Sequence, residues 1–164
     1  LAVRYGFEPI IPDGEPVTAP AGLAPASTNP TGLQISAHNE ALIARSDLCI
    51  ANLTPFRGVS ADPGTVFEVG FAVALGKTVF GYTNDPRDYV DRITDARAAG
   101  IRFEGDLVED HGMIDNLMIE GALVARGWPV ARTDTPLDEA ALWTDLGAFE
   151  RCLARAAALA PATL

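Results

Sequence analysis

The sequence has few of the residues that build metal sites and disulfide frameworks. Its 164 residues include two cysteines, Cys49 and Cys152, and two histidines, His38 and His111. Zinc sites and small disulfide scaffolds need several such residues at close, regular spacing. We therefore expect neither a metal nor a disulfide, and we interpret Cys49, within the apolar run at 48–51, as a small core residue.

Basic residues are also scarce. Twelve Lys and Arg oppose 22 Asp and Glu, a formal net charge of −10. Such a chain repels nucleic acids and anionic membrane surfaces, so neither is expected as the main partner. The sequence also lacks an apolar run of about 18 residues and a visible signal peptide, which predicts a cytoplasmic protein without a membrane span.

What the sequence does contain is typical of one globular domain covering residues 1–164. Apolar residues make up 48% and charged residues 21%, which excludes disorder of the whole chain. Periodicity and helix-end signals then divide the chain into elements. The pattern predicts a helix tail at 1–5, a strand at 7–11, a proline-rich loop at 12–33, helices at 34–46, 63–76, 115–126 and about 137–159, and strands at 48–53 and 78–83.

This alternation predicts an α/β fold, a doubly wound parallel sheet with helices on both faces. In such folds a strand precedes each helix, so we expect a first strand before residue 1 that this sequence does not include. Ligands bind outside the carboxyl ends of the strands. The loop at 54–62 follows a strand and leads into a helix, so it is expected at that edge.

The helix that follows this loop carries the most informative carboxylates. Asp62 and Pro63 have a structural explanation, since Asp caps a helix and Pro suits its first position. Glu68 interrupts an apolar run, and a buried carboxylate needs a partner or a chemical role. Gly64, Glu68 and Ala72 form one stripe of small residues, which either faces water or lets a ligand approach an ionised nucleophile.

Two further polar positions have equally simple explanations when each is taken alone. Asp47 stands between a helix and a strand, where aspartate is a common turn residue. Asp115 or Asn116 begins another helix as its cap, although the Asn116 amide is also able to hydrogen-bond a sugar hydroxyl.

Taken together, these segments resemble the nucleoside 2-deoxyribosyltransferase family over roughly residues 6–126, without the last helix. The order and spacing of several segments make the resemblance more specific than any single motif. The matching positions are Asn39, Ile43, 47–53 (DLCIANL), 55–58 (PFRG), 62–65 (DPGT), 67–70 (FEVG), 74–77 (ALGK) and 116–119 (NLMI).

The resemblance implies a role for each polar residue. Glu68 matches the nucleophile that attacks the anomeric carbon of a 2′-deoxynucleoside, and Asp47 matches the acid that protonates the leaving base. Asp62 and Asn116 match residues that hold the 5′-hydroxyl, with the asparagine reaching in from a neighbouring subunit, and Gly64 lies beside the sugar. The family is oligomeric, with shared active sites, and uses no metal or cofactor. Base-recognition residues are not assigned, with Gln34 and Asn39 as candidates.

The chemistry is consistent with this assignment. Breaking the sugar–base bond develops oxocarbenium character, which a carboxylate below the anomeric carbon stabilises and traps. A nearby acid protonates the departing base. Two displacements then retain configuration and predict ping-pong exchange between 2′-deoxynucleosides and free nucleobases.

Three alternatives stay open at this point. A hydrolase of 2′-deoxynucleoside 5′-monophosphates would keep Glu68 and Asp47, but Asp62 would repel a phosphate unless Arg57 turned inward. A non-catalytic nucleoside-binding module would need no nucleophile. A nucleotide-cofactor enzyme is disfavoured, because Gly70 and Gly76 do not form a glycine-rich fingerprint between a strand and a helix.

Overall fold

A computed structural model describes residues 1–11, 32–103 and 108–159 of the protein. Most of the predicted proline-rich loop, up to residue 31, lies outside the described residues. In chain order, a short 3-10 helix (Ala2–Tyr5) precedes α1 (Gly32–Arg45), β1 (Leu48–Asn52), α2 (Pro63–Ala74), β2 (Thr78–Thr83), α3 (Tyr89–Ala98), α4 (Leu117–Val124), β3 (Ala131–Arg132), α5 (Glu139–Thr144) and α6 (Gly147–Leu159).

The three strands form a parallel sheet in the order β1-β2-β3. Leu48 pairs with Thr78 and Asn52 with Tyr82, so β1 and β2 align over the whole of β1. Parallel neighbours need a crossover, and α2 provides the one between β1 and β2. The carboxyl ends of the strands therefore share one edge, from which the loop into α2 leaves.

Side chains of β2 alternate between two apolar clusters, one on each face of the sheet. Val79 belongs to the cluster beneath α2 and α4, whereas Phe80 and Tyr82 belong to the cluster beneath α6. Gly81 faces the first cluster, where a Cβ atom would lie 2.8 Å from the Leu53 side chain. Helices therefore cover both faces, as the alternation of elements predicts.

The strand predicted at 7–11 is wrong. The preceding turn ends as expected, with Gly6 at a φ of 83°, but the turn is a 3-10 helix. Phe7 then packs half-buried against the α6 side of the sheet, while residues 8–11 are exposed and irregular. Pro9 lacks an N–H group for a strand ladder, and no described strand lies beside this segment.

The single helix predicted at 137–159 is instead two helices, α5 and α6. Asp145 interrupts it in an extended conformation, and its side chain accepts a hydrogen bond from the Gly147 N–H at 2.9 Å. Asn84, at the end of β2, donates from Nδ2 to the carbonyls of Leu142 and Asp145 at 3.0 Å. A tertiary contact thus satisfies the carbonyls where the helix breaks, and local periodicity does not report it.

Across the described ranges, no helix combines the length and apolar character needed to cross a bilayer. Within the same residues, His, Cys, Asp and Glu side chains form no group of three or more arranged to hold a metal ion.

Candidate active site

The helix that carries the candidate nucleophile begins with a well-formed cap. Asp62 accepts a hydrogen bond from the Thr65 N–H at 3.1 Å, and Pro63 occupies the first helical position. Pro63 has no N–H to leave unsatisfied, so the local sequence defines where α2 starts. The cap also holds the Asp62 carboxylate at the end of the helix that leads to Glu68.

Glu68 lies half-buried in α2, with its side chain lining a cleft between α1 and α2. Burial raises the pKa of this carboxyl above its usual value, and the negative charge of Asp62 raises it further. The position of Glu68 near the start of α2 predicts an easily ionised carboxyl, because the helix dipole favours a negative charge there. The raised pKa runs against that expectation. A carboxylate that is costly to ionise gains from meeting a developing positive charge.

The stripe of small residues on α2 runs from exposed Gly64 through half-buried Glu68 to buried Ala72. Gly64 and Glu68 line the cleft, and Ala72 is fully buried in the core beneath the helix. Phe67, which also lines the cleft, is 57% exposed and stacks on Phe71. The first two residues of the stripe therefore border the cleft, and the third belongs to the core.

The other wall of the cleft comes from α1. The volume of the cleft, as far as the described residues enclose it, is about 150 Å³. Pockets that hold a whole small-molecule ligand are larger. Two polar groups of α1, Asn39 and Glu40, face the same space as Glu68. The full lining consists of Ser36, Asn39, Glu40, Ile43, Gly64, Phe67 and Glu68.

Gly64 is required for the geometry of this wall. A Cβ atom at this position would lie 2.8 Å from the Asp62 Oδ2 atom, well inside van der Waals contact. A side chain here would push the Asp62 carboxylate off the Thr65 N–H, to which Oδ2 is hydrogen-bonded. The glycine therefore keeps both the cap and the open space beside Glu68.

Asp47 is not brought to the cleft. It is exposed and directly precedes β1, at the amino-terminal edge of the sheet. Lys77 marks the same edge, since its Nζ donates to the carbonyls of Ala44 and Ser46 at 2.8 and 2.7 Å. The five residues of β1 span about 16 Å from this edge to the edge where the loop into α2 leaves. Asp47 is therefore not among the described residues that line the cleft, and its role as the acid stays a prediction.

Asn116 caps α4 and uses both ends of its amide within this chain. Its Oδ1 accepts from the Met118 N–H at 3.0 Å, and its Nδ2 donates to Glu109 Oε1 at 2.8 Å. It does not line the α1–α2 cleft. The capping explanation from the sequence therefore describes what Asn116 does in the isolated chain.

Sequence reasoning missed Glu40 and offered Asn39 only as a candidate for base recognition. The signal was the helical spacing of Ser36, Asn39, Glu40 and Ile43, which is i, i+3, i+4 and i+7. Three polar residues on such a face are unusual where a helix packs on another. Gln34, the other candidate for base recognition, is buried elsewhere on α1 and does not line the cleft.

Arg57 does not turn towards the cleft. It takes a left-handed backbone conformation, with a φ of 55°, and its guanidinium lies 4.7 Å from the centre of the Phe56 ring. Phe56 in turn meets Trp143 edge-on, with ring centres 6.0 Å apart. The loop at 54–62 therefore brings Asp62 close enough for its charge to act on Glu68, whereas Arg57 does not line the cleft.

Comparisons with known proteins agree with the resemblance. A family model described as nucleoside 2-deoxyribosyltransferase matches residues 3–118, more than half of the chain. An uncharacterized protein of Schizosaccharomyces pombe is 33% identical over 128 residues, which cover 67% of this chain and 60% of that protein. The chain thus spans less than two thirds of that curated relative.

A solved structure described as a 2-desoxiribosyltransferase from Leishmania mexicana is similar as well. It is 28% identical, with a TM-score of 0.47, and the match covers 73% of this chain and 69% of that one. The family-model match includes the α1–α2 cleft and the start of α4, and ends before the last two helices. The chain belongs to the nucleoside 2-deoxyribosyltransferase family.

Proposed function

We propose that this protein exchanges the base of 2′-deoxynucleosides by transferring 2-deoxyribose through a covalent intermediate on Glu68. The observation that carries the proposal is a half-buried carboxylate, with a raised pKa, that faces a cleft beside a glycine. Family membership makes deoxyribosyl transfer the natural chemistry for such a group.

The first step joins a Glu68 carboxylate oxygen to the anomeric carbon as the bond from that carbon to the base breaks. The electron pair of the broken bond stays with the base, which takes up one proton. In the second step a nitrogen of the incoming base attacks the same carbon, and the ester to Glu68 breaks. The incoming base then loses a proton, so no water is consumed and the sugar regains its original configuration.

The position of the cleft supports Glu40 as the group that delivers and recovers the proton. Family resemblance assigns this role to Asp47, which is exposed at the amino-terminal end of β1 and does not line the cleft. Glu40 is the other titratable side chain among those lining the cleft with Glu68. Asn39 beside it offers an amide that can both donate and accept, which suits binding a base edge but not proton transfer.

Asp62 and Gly64 support a substrate with a free 5′-hydroxyl. The glycine leaves space for a sugar against α2, and the Asp62 carboxylate stands at that end of the helix. A 5′-phosphate would meet Asp62, Glu68 and Glu40 without a facing arginine, which disfavours the nucleotide hydrolase.

We propose further that residues 1–164 act as one domain within a homo-oligomer with shared sites. The exposed apolar side chains of α2 and α4 support this, since Phe67 is 57% and Met118 is 72% exposed. In that assembly Asn116 would exchange its bond to Glu109 for a contact with the neighbouring site. Sedimentation equilibrium on the full chain tests the association, and a monomer at micromolar concentration contradicts it.

Base exchange is the direct test of the proposed function. We would incubate the protein with 2′-deoxyinosine and free adenine and follow 2′-deoxyadenosine by chromatography. Glu68→Gln is expected to lower the rate of base exchange by at least about 10³-fold. Glu8→Gln is the matched control, since Glu8 is exposed on an irregular segment.

Each outcome separates the candidate functions. Formation of 2′-deoxyadenosine, lost in Glu68→Gln and kept in Glu8→Gln, supports transfer through Glu68. Without adenine, the wild-type protein should also gain the mass of one deoxyribosyl group. Release of hypoxanthine and free deoxyribose without exchange indicates a hydrolase, and binding without turnover indicates a non-catalytic module. Either result would overturn the proposal.

A further inference from the structure

A buried carboxylate outside the cleft joins the two helix starts that the proposed function uses. Asp115 has no exposed side-chain surface. Its Oδ2 accepts from the Ala61 N–H at 2.7 Å, and its Oδ1 accepts from the Ser60 hydroxyl and from the Asn116 N–H at 2.8 Å. One carboxylate therefore ties the loop before α2 to the loop before α4.

Arg92 of α3 completes this connection from the other side. Its Nη2 lies 3.8 Å from Asp115 Oδ2, and only 3% of its side chain is exposed. Its Nε donates to the Val59 carbonyl at 2.8 Å, and Nη2 also donates to the Ile114 carbonyl. The arginine thus binds the same two segments, three residues before the Asp62 cap and two residues before the Asn116 cap.

The caps themselves are Asp62 and Asn116, one residue beyond Ala61 and Asp115 respectively. Asp115 accepts from the N–H of Ala61, next to the Asp62 cap, and from the N–H of the Asn116 cap itself, so a shift of its carboxylate moves both caps. Neither Asp115 nor Arg92 lines the cleft, so neither touches the space beside Glu68.

We propose that Asp115, held by Arg92, is a positioning residue. It places the Asp62 carboxylate where it binds the substrate's 5′-hydroxyl while the sugar lies beside Glu68. This inference rests on the proposed function. It adds a residue that the resemblance did not assign, and it gives the buried ion pair a task beyond stability. The carboxylate acts through Ala61 and the cap, with no contact to the substrate.

The test compares two substrates that differ only in the group that Asp62 would hold. We would measure kcat/KM with 2′-deoxyinosine and with 2′,5′-dideoxyinosine, adenine being the acceptor in both. In the wild-type protein the ratio of the two values reports the benefit of the 5′-hydroxyl. Asp115→Asn keeps the shape but replaces one acceptor oxygen with a donor, and should reduce that ratio about tenfold.

Two other variants keep the experiment decisive. Ser60→Ala removes one hydrogen bond to Asp115 and should reduce the same ratio by about two- to threefold, in a protein that keeps the charge pair. Asp138→Asn is the matched control, because the Asp138 carboxylate also accepts from a backbone N–H, that of Ala141 at 2.8 Å at the start of α5, and not from the loop at 59–61. It should leave the ratio unchanged.

The outcomes for this inference and for the proposed function are distinct. A wild-type protein that exchanges no base contradicts the proposed function. An active wild-type protein whose ratio does not move in Asp115→Asn and Ser60→Ala contradicts the positioning role, even if kcat/KM falls equally for both substrates. If Asp115→Asn fails to fold, the ratio measured for Ser60→Ala alone decides whether Asp115 has the positioning role.

Discussion

Glu68 and Asp85 are both carboxylates withdrawn from water, yet their pKa values shift in opposite directions. Burial raises the pKa of Glu68, and neighbouring Asp62 adds to the effect. Burial also acts to raise the pKa of Asp85, but the hydrogen bonds and charge of Arg87 outweigh it and lower that pKa. The surroundings, not the depth of burial, determine whether a carboxylate is structural or reactive.

The contrast extends to the regions in which they lie. Around Asp85, Arg87 and Arg92 neutralise the acidic groups, and Arg132 does the same for Asp88 and Glu120 nearby. Among the described residues, the lining of the α1–α2 cleft has two carboxylates and no arginine or lysine. A paired region gains rigidity, whereas an unpaired one keeps its charge available for a substrate.

The largest effect is expected from neutralising Glu40, the second carboxylate that lines the cleft. Glu40→Gln should lower kcat for base exchange by about 10²-fold, since the leaving base loses its proton donor. Asp47→Asn is the control and should stay within about threefold of wild type, a range that ordinary surface substitutions cover. The reverse pattern, with Asp47→Asn inactive and Glu40→Gln active, would restore the assignment taken from the family resemblance.

A smaller change tests the shape of the cleft. Gly64→Ala should displace the Asp62 carboxylate and raise KM for 2′-deoxyinosine about tenfold, with a lesser change in kcat, because the added methyl meets Asp62 first. Steady-state kinetics over a range of nucleoside concentrations measures both values. Gly70→Ala is the matched control, as nothing lies within 4 Å of a Cβ atom there. Equal effects of the two substitutions would argue against the role of Gly64.

Around Asp85, where acidic groups are paired with arginines, a substitution should change the stability of the protein. Asp85→Asn should lower the free energy of unfolding by about 1–2 kcal/mol, an amount reduced because Arg87 is 44% exposed. The folded-state pKa of Asp85 is lowered, so its stabilisation is present above the unfolded-state pKa. That stabilisation is lost as the pH falls through the folded-state pKa. Urea unfolding at pH 7 and at decreasing pH should show the difference from wild type vanish in acid.

Glu68 should affect the stability of the protein in the opposite direction from Asp85. A raised folded-state pKa means that ionised Glu68 costs stability at neutral pH, and that cost disappears as the pH falls below its unfolded-state pKa. Glu68→Gln should therefore have a Tm equal to or slightly above that of wild type at pH 7. A clear loss of Tm in thermal unfolding would mean that Glu68 has a stabilising partner.

Sequence periodicity predicts the elements that carry their own signals. The bounds of β2 are as predicted, and α1, β1 and α2 differ by one or two residues at their ends. Local capping and apolar spacing decide these elements. The α3 helix and the two residues of β3 escaped prediction, because one lies in a mixed segment and the other is too short to show a period.

The sequence alone determined the family to which this protein belongs. The motifs around Glu68 and Asp62, taken together, identified that family and predict Glu68 as the nucleophile, because residue types and their spacing along one helix are given directly by the chain. The start of α2 was equally legible, since Asp62 and Pro63 act on backbone groups three residues away or fewer.

Only the tertiary structure decided which groups face Glu68. Asp47 and Asn39 are only eight positions apart, yet Asn39 faces the cleft from within α1, whereas Asp47 follows the end of that helix at the amino-terminal edge of β1 and does not line the cleft. The link from Asp115 to Ala61 spans 54 positions. Such contacts depend on how helices pack across the sheet, which local sequence patterns do not encode.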